Sequence, residues 1–262
     1  AKREDEPRTP FSGSAWRWVF LLHMTLTAGT AGEIFIGATG VLLASTVLLG
    51  LWIAWPPRRG WKAAFDYRRW RRPQHKLYGW HRAVGLAAGV LLFALALTGA
   101  YMNFDHWLNP ALARWTSYHG MYHAHPVDQL PRQILPAQDA LAIAQSRFPE
   151  ATWVRFYLPT PDEPVYRVLF HQPGELRAWI GKTAVYIDPA SGAIVDLYDA
   201  LDAPLINRVL DAAYPLHNGE IAGLGGRVLA VLCGLVLPGM FVTGLLSWLS
   251  RRRRRAAAGA AS

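Results

Sequence analysis

Hydrophobic residues dominate three long, nearly uncharged stretches of the chain. They cover Ile34–Trp55, Ala83–Phe104 and Val228–Leu249, and each is 22 residues long. A helix of that length extends about 33 Å, enough to cross a hydrocarbon core of about 30 Å. Buried helices of a soluble protein are the alternative, but three such stretches in one chain favour membrane spans. The pattern therefore predicts three transmembrane helices.

In the segment between the second and third stretches, apolar and polar residues alternate with the short periods that are typical of a folded domain. Apolar residues at helical spacing in PAQDALAIAQSRFPEA predict a helix that ends near Pro149. Alternation in TWVRFYLP and PVYRVLFHQ predicts two strands, and TAVYIDPASGAIVDLY predicts a hairpin whose turn begins at Asp188. Together these elements predict a small α+β unit, a helix on a three- or four-stranded antiparallel sheet, without catalytic pairing.

Two of the apolar stretches belong to an internal duplication. LLHMTLTAGTAGE and PLHNGEIAGLGGR align without a gap at an offset of 194, which places His23 opposite His217 and Glu33 opposite Arg227. Four pairs of glycines also correspond: Gly29 with Gly223, Gly32 with Gly226, Gly40 with Gly234, and Gly50 with Gly244.

Basic residues are concentrated beside the apolar stretches. Residues 57–82 contain nine Lys and Arg against one acid, Arg251–Arg255 follow the third stretch, and residues 102–217 carry 12 acids against 8 bases. Because short basic loops stay in the cytoplasm, the charges predict that the acidic segment and the N-terminus are external. An arginine run directly after a span is typical of a topology anchor, so no nucleic-acid partner is expected.

These patterns predict an order of segments along the chain. They are an external N-terminal segment (1–17), a transmembrane helix (18–56), a cytoplasmic basic loop (57–77), a second transmembrane helix (78–104), an external α+β domain (105–214), a third transmembrane helix (215–250) and a cytoplasmic basic tail (251–262).

His23 and His217 are candidate haem ligands, with a pair of histidines that only line the membrane interface as the alternative. Two duplicated helices could present imidazoles to opposite faces of one porphyrin, and bundle cores build cofactor sites from facing helices. Arg227 could pair with a haem propionate, or its side chain could extend to the interface. The glycines beside these residues would leave room for a flat macrocycle, or for a neighbouring helix alone; they are Gly29, Gly32, Gly223 and Gly226.

The remaining histidines are weaker candidates. His119 and His123 have a metal-compatible spacing, but Gly120 and Pro126 argue against a long helix there. A hydrated loop is therefore expected around these residues and His125, with a substrate-contacting loop left open.

Several motifs resemble those of PepSY-associated transmembrane proteins. They are WHRAVGL, VYIDPASGAIVD, LHNGEIAGLGGR, TGLLSWLSRRR and LHMTLTAGTAGEIFIGATG. The resemblance extends from about Trp18 to Arg255. This family includes bacterial inner-membrane reductases of ferric siderophores, which carry b-type haems on membrane histidines. The resemblance implies an α-helical polytopic membrane protein with an external α+β PepSY-like domain.

The resemblance also implies a second haem site at His81, on the cytoplasmic side. The family has a four-helix core, whereas this sequence holds the end of one repeat unit (1–56) and one complete unit (78–250). The second ligand to the inner haem is therefore expected on a helix that precedes the sequence given. By the same resemblance, the full protein would carry two b haems, with one or two of the sites represented here. His75 is a less favoured ligand, since it lies on a different face of the helix from His81.

The function expected from these features is transmembrane electron transfer in iron uptake. Haem b would carry electrons from a cytoplasmic or quinol donor, across the lipid of a bacterial inner membrane, to a periplasmic ferric chelate such as a siderophore. The alternative is a haem-free membrane protein whose PepSY-like domain binds or restrains a peptidase or another envelope partner. The absorption spectrum of the purified protein distinguishes the two.

Overall fold

The computed structural model describes residues 15–66, 73–120, 122 and 125–259, with the side chains of all of these except 73–75 and 254–259. The chain divides into two compact units. One unit, which we call the membrane unit, contains the residues up to Phe104 and those from Gly225 onward. The other, the α+β unit, is Asp105–Leu224.

Helices make up most of the described chain. The α-helices are α1 (Ala15–Thr25), α2 (Gly29–Ala54), α3 (Trp61–Ala64), α4 (Pro73–Ala113), α5 (Ala137–Arg147), α6 (Leu205–Asp211), α7 (Ala213–His217) and α8 (Gly223–Gly259). The strands are β1 (Thr152–Tyr157), β2 (Tyr166–His171), β3 (Thr183–Ile187) and β4 (Ile194–Tyr198).

Three helices are long and apolar enough to cross a membrane, which confirms the spans predicted from the hydrophobic stretches. The qualifying segments are Gly29–Ala54, Lys76–Ala113 and Glu220–Arg253, and their most apolar windows have mean hydropathies of 2.2, 2.2 and 2.3. Large apolar side chains on these helices are exposed, as expected of surfaces that contact lipid. The protein is therefore a polytopic membrane protein.

Small residues allow α2 and α4 to approach each other closely. A Cβ at Gly37 would lie 2.6 Å from the Phe104 ring, and a Cβ at Gly40 would lie 3.1 Å from the Ala100 Cβ. Apolar side chains gain little by leaving lipid for a helix interface, so close packing is what holds membrane helices together. The glycines on α2 therefore fix where α2 crosses α4.

The α+β unit is built on a four-stranded antiparallel sheet with the order β1-β2-β3-β4. Alternate residues of β2 point to one face, where Val168 pairs with Val185 and both are fully buried beneath α5. Ala140 and Ala144, one turn apart on α5, pack against this face because their small side chains let the helix lie close to the sheet. The predicted α+β arrangement is confirmed, with four strands.

The β3–β4 turn begins at Asp188, as the sequence indicates. The carboxylate oxygen Oδ1 accepts hydrogen bonds from the backbone N–H groups of Ala190 and Ser191 and from the Ser191 hydroxyl. These bonds to the charged form, chiefly those from Ser191, lower the pKa of Asp188. Gly192 completes the turn with a φ of 73°.

Candidate functional site

The two duplicated histidines stand at the ends of short helices that precede the spans. His23 lies in the last turn of α1, and His217 is the last residue of α7. The interval 18–56 therefore contains two helices, with a break at residues 26–28 where Leu26 and Thr27 have positive φ angles of 49° and 60°. A second break separates α7 from α8, and Gly219 within it has a φ of 78°.

Gly29 and Gly223 begin the two spans, and the structure gives a backbone reason for both. Their φ angles are 56° and 60°, and no described atom lies within 4 Å of a Cβ placed on either residue. Glycine is needed there because side chains disfavour this conformation. Gly32 differs, since its Cβ would collide with the Thr25 carbonyl oxygen of the preceding helix. Glycine at these three positions therefore has a local reason, and the predicted role beside a porphyrin stays a prediction, as it does for Gly226.

The outer histidines belong to different units of the chain. His23 is exposed in the membrane unit, and His217 is half-buried in the α+β unit. Arg227 is half-buried in the second turn of α8. The pairing of His23 with His217 on one haem stays a prediction.

His81 is held by a hydrogen bond between two spans. It lies on α4, and its Nδ1 is 3.0 Å from the Thr243 hydroxyl oxygen on α8. Thr243 in turn donates to the carbonyl oxygen of Gly239 at 2.8 Å, with the Met240 carbonyl 3.2 Å away as a second acceptor.

These bonds predict the tautomer of His81. A hydroxyl has one proton, and carbonyl oxygens of its own helix are within reach of the Thr243 hydroxyl as acceptors. We therefore expect the Thr243 oxygen to accept a hydrogen bond from His81, with the ring proton on Nδ1. A neutral imidazole has a single N–H, so this tautomer would leave a lone pair on Nε2. Metal-binding histidines commonly have this arrangement, in which one nitrogen is oriented by a hydrogen bond and the other is available to the metal.

Gly244 lies directly against the His81 ring. A Cβ at this position would be 3.2 Å from the Cε1 atom of His81. The ring therefore has room on α8 because residue 244 has no side chain. Gly244 corresponds to Gly50 in the duplication, and Gly50 lines the cavity that His81 also borders.

An apolar cavity of about 580 Å³ lies within the membrane unit beside His81. Its walls come from α2 between Thr39 and Ala54, from α4 between His81 and Leu92, and from α8 between Leu237 and Phe241. The volume is within the range of about 300–1,000 Å³ that is usual for small-molecule sites. His81 is the one histidine among the described residues that line it.

The polar groups of the cavity are few and most are already hydrogen-bonded. The hydroxyls of Thr39 and Thr46 donate to the carbonyls of Phe35 and Leu42 on their own helix. Arg82 donates from Nη2 to the Ala54 carbonyl at 3.0 Å, at the end of α2 where carbonyls lack helical partners. The cavity therefore contains the His81 imidazole, apolar walls and a cation at one end. These groups would suit a b-type haem.

Thr243 was not identified from the sequence. Its counterpart in the duplication is Leu49, so the repeat carries no signal for a hydroxyl at this position. Among the described residues, no group of three or more His, Cys, Asp or Glu could hold a metal ion. The side chains of His75 and His123 lie outside the described residues.

His119 is exposed in an irregular segment and also has a structural role in the α+β unit. Its backbone N–H and C=O both bond to the side-chain amide of Asn207, which is 2% exposed, at 2.9 and 2.8 Å. Its Nε2 lies 3.4 Å from the Asp196 carboxylate on β4. The loop after α4 is therefore fixed to β4 and α6. His125 is exposed.

Comparison with known proteins identifies a family. A family model described as the PepSY-associated TM region matches residues 2–251 of the chain. No curated protein matches the chain.

Proposed function

Because the chain belongs to the family of PepSY-associated transmembrane proteins, we propose that it carries electrons across a membrane on haem b. The observation that supports the proposal is His81, whose ring lines an apolar cavity while Thr243 occupies its Nδ1. Bound haem supplies one-electron redox chemistry at its iron, and the protein supplies ligation, orientation and control of potential.

The residues around the cavity have distinct roles in this proposal. His81 would hold the haem iron through Nε2. Thr243 fixes the ring orientation and, by accepting a hydrogen bond from the Nδ1–H group, would increase the basicity of Nε2. The apolar walls exclude water and lower the local dielectric constant. Arg82 places a positive charge at one end, where a propionate carboxylate would be stabilised.

His23 and His217 are the proposed ligands of an outer haem, and Arg227 is a proposed partner for its propionates. The support is the duplication, which repeats a histidine, a break and a glycine in front of each span. A core of about 30 Å is better crossed by two haems in series than by one. Electrons would move from a cytoplasmic or quinol donor outward, which fits the basic loop and tail on one side of the spans.

The proposed acceptor is a periplasmic ferric chelate of the siderophore class, in a bacterial inner membrane. This part of the proposal rests on the family resemblance. Reduction to Fe²⁺ needs one electron per ferric ion, so a single-electron carrier suits the acceptor. The protein would then be a ferric-chelate reductase of the oxidoreductase class.

Spectroscopy of the purified chain tests the haem proposal and separates the two sites. His81 is the one histidine among the described residues that line the cavity, so a haem held by this chain without the expected second helix should bind carbon monoxide when reduced. A bis-histidine outer haem should not. We expect His81→Ala to remove the carbon monoxide-binding fraction after titration with hemin, and His125→Ala, in an exposed loop, to retain it.

Two results would contradict the proposal. A colourless preparation from haem-replete cells that also fails to take up hemin would favour the haem-free alternative. A full carbon monoxide-binding fraction in His81→Ala would show that the cavity histidine is not a ligand.

A further inference from the structure

The segment after α2 folds back into an aromatic cluster at the end of the span. A 3-10 turn, Arg58–Gly60, leads into α3. The Trp61 ring packs edge-on against Trp55, with ring centroids 5.3 Å apart, and Phe65 stacks on Trp61 at 6.4 Å. Tryptophan is enriched at the interface between a membrane and water, where its ring tolerates both environments.

Basic side chains project from the same short segment. Arg58, Arg59 and Lys62 are all exposed, and none of the three makes an ion pair with a described residue. Arg58 and Lys62 are four residues apart, a spacing that brings side chains close together on a helical turn. Exposed cations and aromatic rings therefore lie next to each other at the end of the span.

We propose that this surface, formed by Arg58, Arg59 and Lys62 together with Trp55, Trp61 and Phe65, binds the phosphate headgroup of an anionic phospholipid. Charge complementarity identifies the partner, since residues 57–82 have nine bases and one acid. Position decides between a lipid and another polyanion. The cluster begins at the end of a membrane span, where headgroup phosphates are the nearest anions. Its aromatic rings provide the apolar surface that binding at the interface needs.

The bases of this surface are distinct from the arginine that links two of the spans. Arg82 is bonded to the Ala54 carbonyl at the end of α2, so it is already engaged within the protein. The exposed bases of the 58–62 segment are a separate set, and none of them lines the cavity beside His81. Lipid binding at this surface is therefore independent of the haem proposal.

The test measures lipid selectivity of the full chain in phosphatidylcholine bilayers. Trace spin-labelled phosphatidylglycerol or spin-labelled phosphatidylcholine is added, and electron paramagnetic resonance gives the motionally restricted fraction of each. An exposed ion pair between a base and a headgroup phosphate contributes up to about 1 kcal/mol, or about five-fold in affinity. The double variant Arg58→Gln/Arg59→Gln should therefore lower the preference for phosphatidylglycerol by up to about 25-fold, and 0.5 M salt, about 4 Å in screening length, should lower it in the wild type.

The matched control is Arg132→Gln/Arg147→Gln, which removes two exposed charges from the α+β unit and should keep the preference. A third variant, Trp61→Leu, keeps every charge and should weaken retention of both lipids at the cluster. Equal loss in the two double variants would show an effect of net charge alone and overturn the proposal. Absence of any preference in the wild type would also overturn it.

Discussion

Gly29 and Gly223 begin two spans with the same unusual φ angle, 56° in one and 60° in the other. The two residues correspond in the internal duplication, so the repeat preserves a backbone conformation as well as a sequence. Gly223 has a ψ of −143°, a combination that is essentially restricted to glycine. The break between a histidine-bearing helix and its span is thus a repeated structural feature.

Replacing these glycines should strain the breaks. We expect Gly223→Ala to destabilise the chain by about 1–3 kcal/mol and Gly29→Ala by about 1 kcal/mol, because an added Cβ disfavours the observed conformations although space is available. Thermal unfolding in detergent measures the change. The control is Gly225→Ala, two residues further along in α8, where a Cβ meets no described atom within 4 Å and alanine favours helix. Equal destabilisation by Gly225→Ala would contradict the strain argument.

Thr243 should control the tautomer of His81. In Thr243→Val the hydroxyl acceptor is lost while the side-chain shape is kept, so the Nδ1–H tautomer should lose about 1 kcal/mol of preference. Thr243→Ser should restore it. Nitrogen-15 NMR of histidine-labelled protein reads the protonated nitrogen directly, and a His81→Gln variant assigns the signal.

The wild type, Thr243→Val and Thr243→Ser can also be compared with haem bound. Loss of the hydrogen bond to Nδ1 should make the ligand less basic and raise the midpoint potential in Thr243→Val, with recovery in Thr243→Ser. An Nε2–H tautomer in the wild type would refute the assignment, whatever the haem content.

His23 and His217 should share one haem if the proposed outer site is right. Each single change to alanine should then remove the same haem, and the double variant should lose no more than either single variant. Groups that act at one site are non-additive in this way. Pyridine haemochrome assays give the content per chain, and reduction of a ferric chelate should fall in all three variants. Losses that sum in the double variant would show two separate sites.

Tyr198 should make the stability of the α+β unit depend on alkaline pH. Burial, followed by the hydrogen bond from its hydroxyl to Asp211, raises the pKa of Tyr198. Because the folded pKa is above the unfolded value of about 10, the stabilisation is fully present below pH 10 and is lost as pH rises beyond it. Tyr186 acts in the same direction, with its pKa raised to about 12, mainly by burial.

Tyr198→Phe should therefore lower the melting temperature at pH 7 and flatten its decline between pH 9.5 and 11, with Tyr186 accounting for the remaining slope. The lost hydrogen bond is worth about 1 kcal/mol. Near-ultraviolet circular dichroism of the full chain follows the transition, and Tyr157→Phe, at the edge strand β1, serves as the control. An unchanged slope in Tyr198→Phe would contradict the role of this phenol.

The charge distribution predicts the orientation of the chain in the membrane. A reporter fused after Leu130 should be active in the periplasm, and one fused after Ser262 should be active in the cytoplasm, because the basic loop and the arginine tail are retained inside. The reverse result would invert the direction proposed for electron transfer.

The sequence by itself determined the spans and the elements of the α+β unit. A helix that faces lipid must be apolar for about 20 residues, and a strand covered on one face must alternate apolar and polar side chains. Both signals can therefore be recognised from consecutive residues. The Asp188 turn was equally local, since the carboxylate bonds to groups within three residues. The family resemblance rests on the same local motifs and was confirmed over residues 2–251.

Tertiary structure decided the contacts that give the candidate site its chemistry. His81 and Thr243 are 162 positions apart, and His119 and Asn207 are 88 apart, so no local period brings them together. The break after α1 also depends on context, because Leu26 and Thr27 adopt positive φ angles that neither residue favours alone. Hydrogen bonds between distant elements form only where packing sets the helices side by side, and packing of this kind has no signature in a short stretch of sequence.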